Sequence, residues 1–171
     1  AFGQLFLWTE GDLWILFGAD NATWEAWKPT TSENQLLSED SPLSKNLIAY
    51  WRLDEASGTR KDSWRSNNLT DNNTVTQATG KVNYAGQFTA ANSEYLSHVD
   101  NADLSTGDID FTIAAWVYLD SLAAVQSIVT KNNGAPNREF ALRVLTDNKP
   151  DWNISYDGTN TAIIQSSVTV T

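Results

Sequence analysis

Apolar residues in this chain recur at alternate positions over short runs, and no helix-length stretch carries a 3.6-residue period. Side chains on a strand point to opposite faces in turn, so this pattern makes sheets and cannot wrap a helix with one apolar stripe. The chain is expected to be all-β. At 171 residues it has length for one core and a small appendage.

The first expected strand is Gln4–Trp8, with a turn at Thr9–Gly11 and Asp12–Phe17 as its return partner. A third, Thr23–Lys28, follows a turn built from Gly18–Asn21. This small β-meander, residues 1–30, carries Trp8, Trp14, Trp24 and Trp27, four of the eight tryptophans. Three short strands bury too little surface to stand alone, so the meander is expected to assemble against another unit, such as a second copy of the chain. Residues 31–46, rich in Ser, Thr, Glu, Asn and Pro, read as a linker. Residues 47–171 form the main unit.

Within that unit the expected strands are Ile48–Leu53, Asn73–Gln77, Gly86–Thr89, Glu94–Val99, Phe111–Leu119, Gln126–Lys131, Phe140–Leu145, Trp152–Tyr156 and Thr161–Val170. Short strands at regular spacing, punctuated by Asn, Asp and Gly, are the pattern of a sandwich or barrel. Phe111–Leu119 is apolar on both faces and is expected to be a central strand, covered on both sides.

Eleven basic and twenty-one acidic residues leave a net charge of −10, and the densest basic run is Arg60-Lys61. Such a field repels phosphate backbones and anionic headgroups, so nucleic acid is not an expected partner. The longest dense apolar run, Leu13–Phe17, is far short of the roughly twenty residues of a bilayer span, so no membrane insertion is expected. With no cysteine there is no disulfide framework and no thiolate nucleophile. The opening Ala1–Gln4 has neither an initiator methionine nor a signal pattern and reads as part of a processed or longer chain.

Three segments in order, Leu47–Gly58, Glu94–Leu104 and Phe111–Leu119, resemble the opening strand and turn, a following strand and the most recognisable strand of laminin-G-like domains. The resemblance covers residues 47–156. It implies an antiparallel concanavalin A-like jelly-roll sandwich, often calcium-binding, used for carbohydrate or protein recognition outside the cell or on a virus particle. Family members continue with further strands beyond the equivalent of Thr171, which a longer chain or a neighbouring subunit would supply. Gly11–Trp14 and Asn21–Trp24 resemble hairpin modules of bacteriophage tail fibre and baseplate proteins, which implies a virion surface.

The resemblance places an acidic turn at Asp62–Thr70, making Asp62, Asn67 and Asn68 the expected side-chain ligands of a calcium ion. Asx-rich turns also bond their own backbone with no metal, and that alternative stays open. Asp100, Asp103, Asp108 and Asp110 form a second acidic cluster, equally readable as a solvated rim. Sugar recognition needs an aromatic platform and polar groups for hydroxyls. Trp64 in its polar loop is the expected platform, with Trp51, Trp116, Trp152 and Tyr156 as further aromatics, and Asn132, Asn133, Asn137 and Arg138 supply the polar loop. Trp51 and Trp116 also read as core.

Catalytic patterns are missing. Asp54 and Glu55 are adjacent, so on a strand they face opposite ways and cannot act as a carboxyl pair. His98 is the only histidine, and no Gly-x-Ser-x-Gly elbow, phosphate loop or dinucleotide fingerprint accompanies it. The expected function is therefore non-enzymatic surface recognition of a glycan or protein, by an oligomer on a virion or extracellular surface. The alternative is a carbohydrate-binding module of a secreted bacterial polysaccharide-degrading enzyme or adhesin.

Overall fold

Eleven strands and two single turns of 3-10 helix make up the regular structure of a computed structural model that describes residues 5–9, 46–107 and 109–170, the first of these through its backbone. Every strand pairing is antiparallel. The all-β expectation holds. Among the described residues no helix is long and apolar enough to cross a membrane.

The largest sheet is a meander of β8 (Gln126–Asn132), β9 (Arg138–Val144), β10 (Pro150–Ser155) and β11 (Thr161–Gln165), each beside its neighbour in sequence. Its reversals sit where the sequence supplies positive φ without strain: Gly134 at 75°, Asn148 at 62° and Gly158 at 77°. Phe140, Ala141 and Val144 of β9 are buried. Burial falls away at β11, where Ile163 and Ile164 are both exposed although they point to opposite faces.

A second sheet holds β2 (Leu47–Trp51), β1 (Leu5–Thr9) and β7 (Phe111–Ala115), with β1 in the middle. Leu47, Ala49 and Trp51 alternate along β2 and are buried, the arrangement that its period-2 pattern specifies. Ala49, Trp51 and Leu53 form the core with Leu69, Leu96 and Leu104 packed against them. Two short ribbons complete the fold: β3 (Thr70–Asn72) with β6 (Tyr95–Ser97), and β4 (Thr76–Thr79) with β5 (Tyr84–Gln87). Phe111 of β7 meets Phe140 and Trp152 of the four-stranded sheet at centroid separations of 5.4 and 5.7 Å, so aromatic packing joins elements of two sheets.

Two strand expectations change. Phe111–Leu119 is not one continuous strand: β7 stops at Ala115, among the described residues pairs with β1 alone, and leads into exposed Val117 and Tyr118. Its double-sided apolar pattern lines a cleft instead. Gln4–Trp8 does contain a strand, and that strand pairs with β2 and β7. Its expected partner Asp12–Phe17, the third meander strand Thr23–Lys28 and the linker up to residue 45 lie outside the described residues.

Candidate functional site

The turn that follows β2 brings the three expected calcium ligands together and turns their oxygens toward protein donors. Buried Asp62 takes the backbone N–H groups of Tyr50 and Trp64 on Oδ1, both at 2.9 Å, and that of Asn67 on Oδ2 at 3.1 Å. Asn68 Oδ1 accepts from the Asp62 backbone N–H at 2.9 Å, and Asn67 Oδ1 from Asn101 Nδ2 at 2.8 Å. The indole of Trp51 donates to the Asn67 carbonyl at 2.6 Å. The one orphaned buried atom of this group, Asn67 Nδ2, is a donor and so has the wrong polarity for a cation. A calcium ion needs six to eight oxygens aimed at one point, and here each of the three side chains already accepts from a protein donor. As packed, the turn follows the hydrogen-bonded alternative.

The second acidic cluster is dispersed. Asp100 pairs with Lys131 at 3.0 Å and Asp103 with Arg65 at 3.9 Å, while Asp108 is outside the described residues. Among the described residues no group of three His, Asp or Glu side chains stands close enough to hold a metal ion.

Between β6, β7 and the four-stranded sheet lies a cleft of about 1310 Å³, with Trp51, Ile113 and Phe140 among its apolar walls. One lip is double. The β8–β9 reversal is closed by Asn137 N–H to the Gly134 carbonyl at 2.7 Å and Asn133 N–H to the Asn137 carbonyl at 3.2 Å. It docks on the β10–β11 reversal through Arg138, whose backbone N–H donates to the Gly158 carbonyl at 3.1 Å and whose Nη1 donates to the Thr159 carbonyl at 2.7 Å. Gly158 is required here, because a Cβ at that position would stand 1.9 Å from the Pro136 carbonyl oxygen.

Asn132, Asn133, Asn137 and Arg138, the expected polar loop, all line the cleft, and the first three are exposed. Trp64 does not join them: it is half-buried in the Asp62 turn and does not line the cleft. The aromatic at this lip is Tyr156, 74% exposed. The residue after it, Asp157, takes the N–H groups of Asn160 and Thr159 on Oδ1 at 2.6 and 2.8 Å and Asn160 Nδ2 on Oδ2 at 2.6 Å. The backbone and side-chain bonds from Asn160, with that from Thr159, hold its carboxyl below the usual aspartate value. The Asp157–Asn160 run, a turn signature between two strands, is the signal that could have located this half of the lip.

Sequence reasoning also missed a charged node behind the lip. Lys131 Nζ reaches Glu139 Oε1 at 2.6 Å, Ser105 Oγ at 2.7 Å and Asp100 Oδ1 at 3.0 Å. Glu139 Oε2 in turn accepts from the Thr106 backbone N–H at 3.0 Å. Burial alone would lower the Lys131 value, but the hydrogen bonds and charges of Glu139 and Asp100 outweigh it and the pKa is raised. The node ties the Asn101–Thr106 loop to β8 and β9, fixing the lip from behind.

No family model, no curated protein and no solved structure matches this chain.

Proposed function

We propose that this chain is a laminin-G-like jelly roll acting as a non-enzymatic recognition module, which binds an extracellular or cell-surface glycan at the double lip of its cleft. The observation that carries this reading is exposed Tyr156 set beside the exposed amides of Asn132, Asn133 and Asn137 on two reversals locked together by Arg138. An aromatic ring offers its face to sugar C–H groups, and amides both donate to and accept from hydroxyls. Locked reversals lose little entropy when a ligand arrives.

The jelly-roll part of the reading is supported by the ordered resemblance of the segments around β2, β6 and β7, by the antiparallel pairing throughout and by the aromatic contact between two sheets. The hairpin resemblances at Gly11–Trp14 and Asn21–Trp24 favour a virion surface, as in a phage tail fibre or decoration protein. The −10 charge favours neutral glycans over polyanionic ones.

The test is binding of the full chain to an immobilised panel of neutral and acidic bacterial surface polysaccharides, followed by Tyr156→Ala and Asn137→Ala on whichever is bound. Each substitution is expected to weaken binding about tenfold, the scale of one lost stacking or hydrogen-bonding contact. Binding that survives both substitutions would overturn the proposal.

A further inference from the structure

An asparagine carries an electrophile, its side-chain carbonyl carbon Cγ, within reach of the backbone nitrogen of the residue that follows. Closing the five-membered imide between them is hindered by a side chain on that next residue, and glycine removes the hindrance. In this chain Asn133-Gly134 is the one place where asparagine precedes glycine. The pair lies in the β8–β9 reversal, where residues 132–137 are all exposed.

The structure leaves this pair free to react. Among the described residues the Asn133 side-chain amide has no hydrogen-bond partner, whereas the side chains of Asn68, Asn72, Asn73, Asn92 and Asn101 are each held by one. A Cβ built on Gly134 would meet nothing within 4 Å, so the space around its backbone is open. Gly134 N–H donates to Asn132 Oδ1 at 3.1 Å, an exposed acceptor that water can replace.

We propose that Asn133 is a modification site, at which the folded chain converts spontaneously to aspartyl and isoaspartyl forms. Gly134 N attacks Asn133 Cγ, the N–Cγ bond forms and the Cγ–Nδ2 bond breaks. The side-chain nitrogen leaves as ammonia with the Gly134 proton, and a cyclic imide remains. Water then opens the imide and one proton passes to solvent. Breaking the N–Cγ bond gives aspartate, and breaking the bond from Gly134 N to the main-chain carbonyl carbon gives isoaspartate. Nothing is oxidised or reduced.

Either product sets a carboxylate on the lip. Isoaspartate also adds one carbon to the main chain, inside a reversal closed by Asn137 N–H to the Gly134 carbonyl at 2.7 Å and Asn133 N–H to the Asn137 carbonyl at 3.2 Å. Both bonds then lose their register, and the β8–β9 half of the lip is unlocked. Asp157-Gly158 on the facing reversal has the same following glycine, but its carboxyl is held by the N–H groups of Thr159 and Asn160 and is expected to persist. The modification site stands apart from the glycan reading; its effect on recognition rests on that reading.

The test is a time course of the folded full chain in mildly alkaline buffer, digested and mapped by mass. The peptide carrying Asn133 is expected to lose ammonia and then gain water ahead of every other asparagine, while Asp157 forms no isoaspartate over the same period. Asn133→Gln, an exposed substitution that the fold tolerates, is expected to abolish the conversion. In the separated acidic form, hydrogen exchange is expected to show lost protection at the Asn137 amide. Conversion of the urea-unfolded chain with none in the folded chain would overturn the proposal, because the reversal would then hold Cγ away from Gly134 N. Earlier conversion at any other asparagine would overturn it as well. A chain that converts at Asn133 and binds no glycan in either form keeps the modification site and removes recognition from the lip.

Discussion

Two carboxylates in this molecule do the same chemical work in opposite surroundings. Asp62, after β2, and Asp157, between β10 and β11, each gather three N–H donors around a reversal. Asp62 is buried, and its donors come from Tyr50, Trp64 and Asn67, so it staples strand β2 to the turn beyond it. Asp157 is exposed, and its donors come from two residues just after it, Thr159 and Asn160. The difference teaches what burial adds: where water can replace a lost acceptor the bond is nearly interchangeable, and where it cannot, the loss carries the full desolvation cost of every orphaned donor.

The sharpest break of this comparison is therefore Asp62→Ala. It strands the N–H groups of Tyr50, Trp64 and Asn67 beside a core strand, and we expect a loss of about 3–4 kcal/mol in urea unfolding. Asp62→Asn keeps one acceptor but turns an amide donor toward N–H groups, and is expected to lose about half as much. A loss below about 1 kcal/mol for the alanine variant would mean that water enters the turn, and the contrast with Asp157 would collapse. Adding calcium or a chelator to the wild-type chain is expected to leave its melting unchanged, because both Asp62 oxygens already accept from protein N–H groups.

The same contrast decides what could be read from the sequence. The four-stranded meander was legible: its strands begin within two residues of where short apolar runs and Asn or Gly punctuation put them. The region from Arg60 to Val75 was not. There Arg60, Asp62 and Asn67 are buried, and Arg60 donates to the Gly58 and Val75 carbonyls while β3, Thr70–Asn72, forms from three polar residues. Buried polar groups held by loop carbonyls leave no periodic trace, because their partners are set by tertiary placement. In the site, the Asn132–Arg138 half of the lip was legible as a polar loop, whereas the Lys131, Glu139 and Asp100 node depends on elements distant in sequence. Trp64 drew attention by its polar neighbours, yet those neighbours bond their own backbone.

An intermediate case refines the contrast. Asp151 of β10 is 1% exposed and lies directly opposite Arg143 of β9, which donates to it through Nε at 3.0 Å and also through Nη2. Arg143 retains contact with water, its side chain being 30% exposed. Removing the buried partner leaves a cation that can rehydrate, and removing the cation leaves a carboxylate that cannot. Arg143→Ala is thus expected to cost about 2–3 kcal/mol and Asp151→Ala about 1 kcal/mol less in equilibrium unfolding. The reverse ranking would show that packing around Asp151, rather than desolvation, sets the cost.

The smallest effect belongs to Asp157, where global stability is the wrong observable. Its carboxyl titrates below the ordinary aspartate value of 3.8 because the charged form is held by the Asn160 and Thr159 donors. A depressed pKa contributes order that is fully present above that ordinary value and is lost as pH falls through the folded one. Acidification below 3.8 should therefore free the Thr159 and Asn160 amides, and with them the reversal that carries Tyr156, before the sheet itself melts. Hydrogen exchange read residue by residue is the measurement: those two amides should lose protection first, ahead of the β9–β10 ladder. Asp157→Asn should produce the same local loss at neutral pH with no resolvable change in the unfolding midpoint. If the amides of β10 open together with Thr159 and Asn160, the exposed turn is coupled to its sheet as tightly as the Asp62 turn is to β2, and exposure does not separate the two carboxylates.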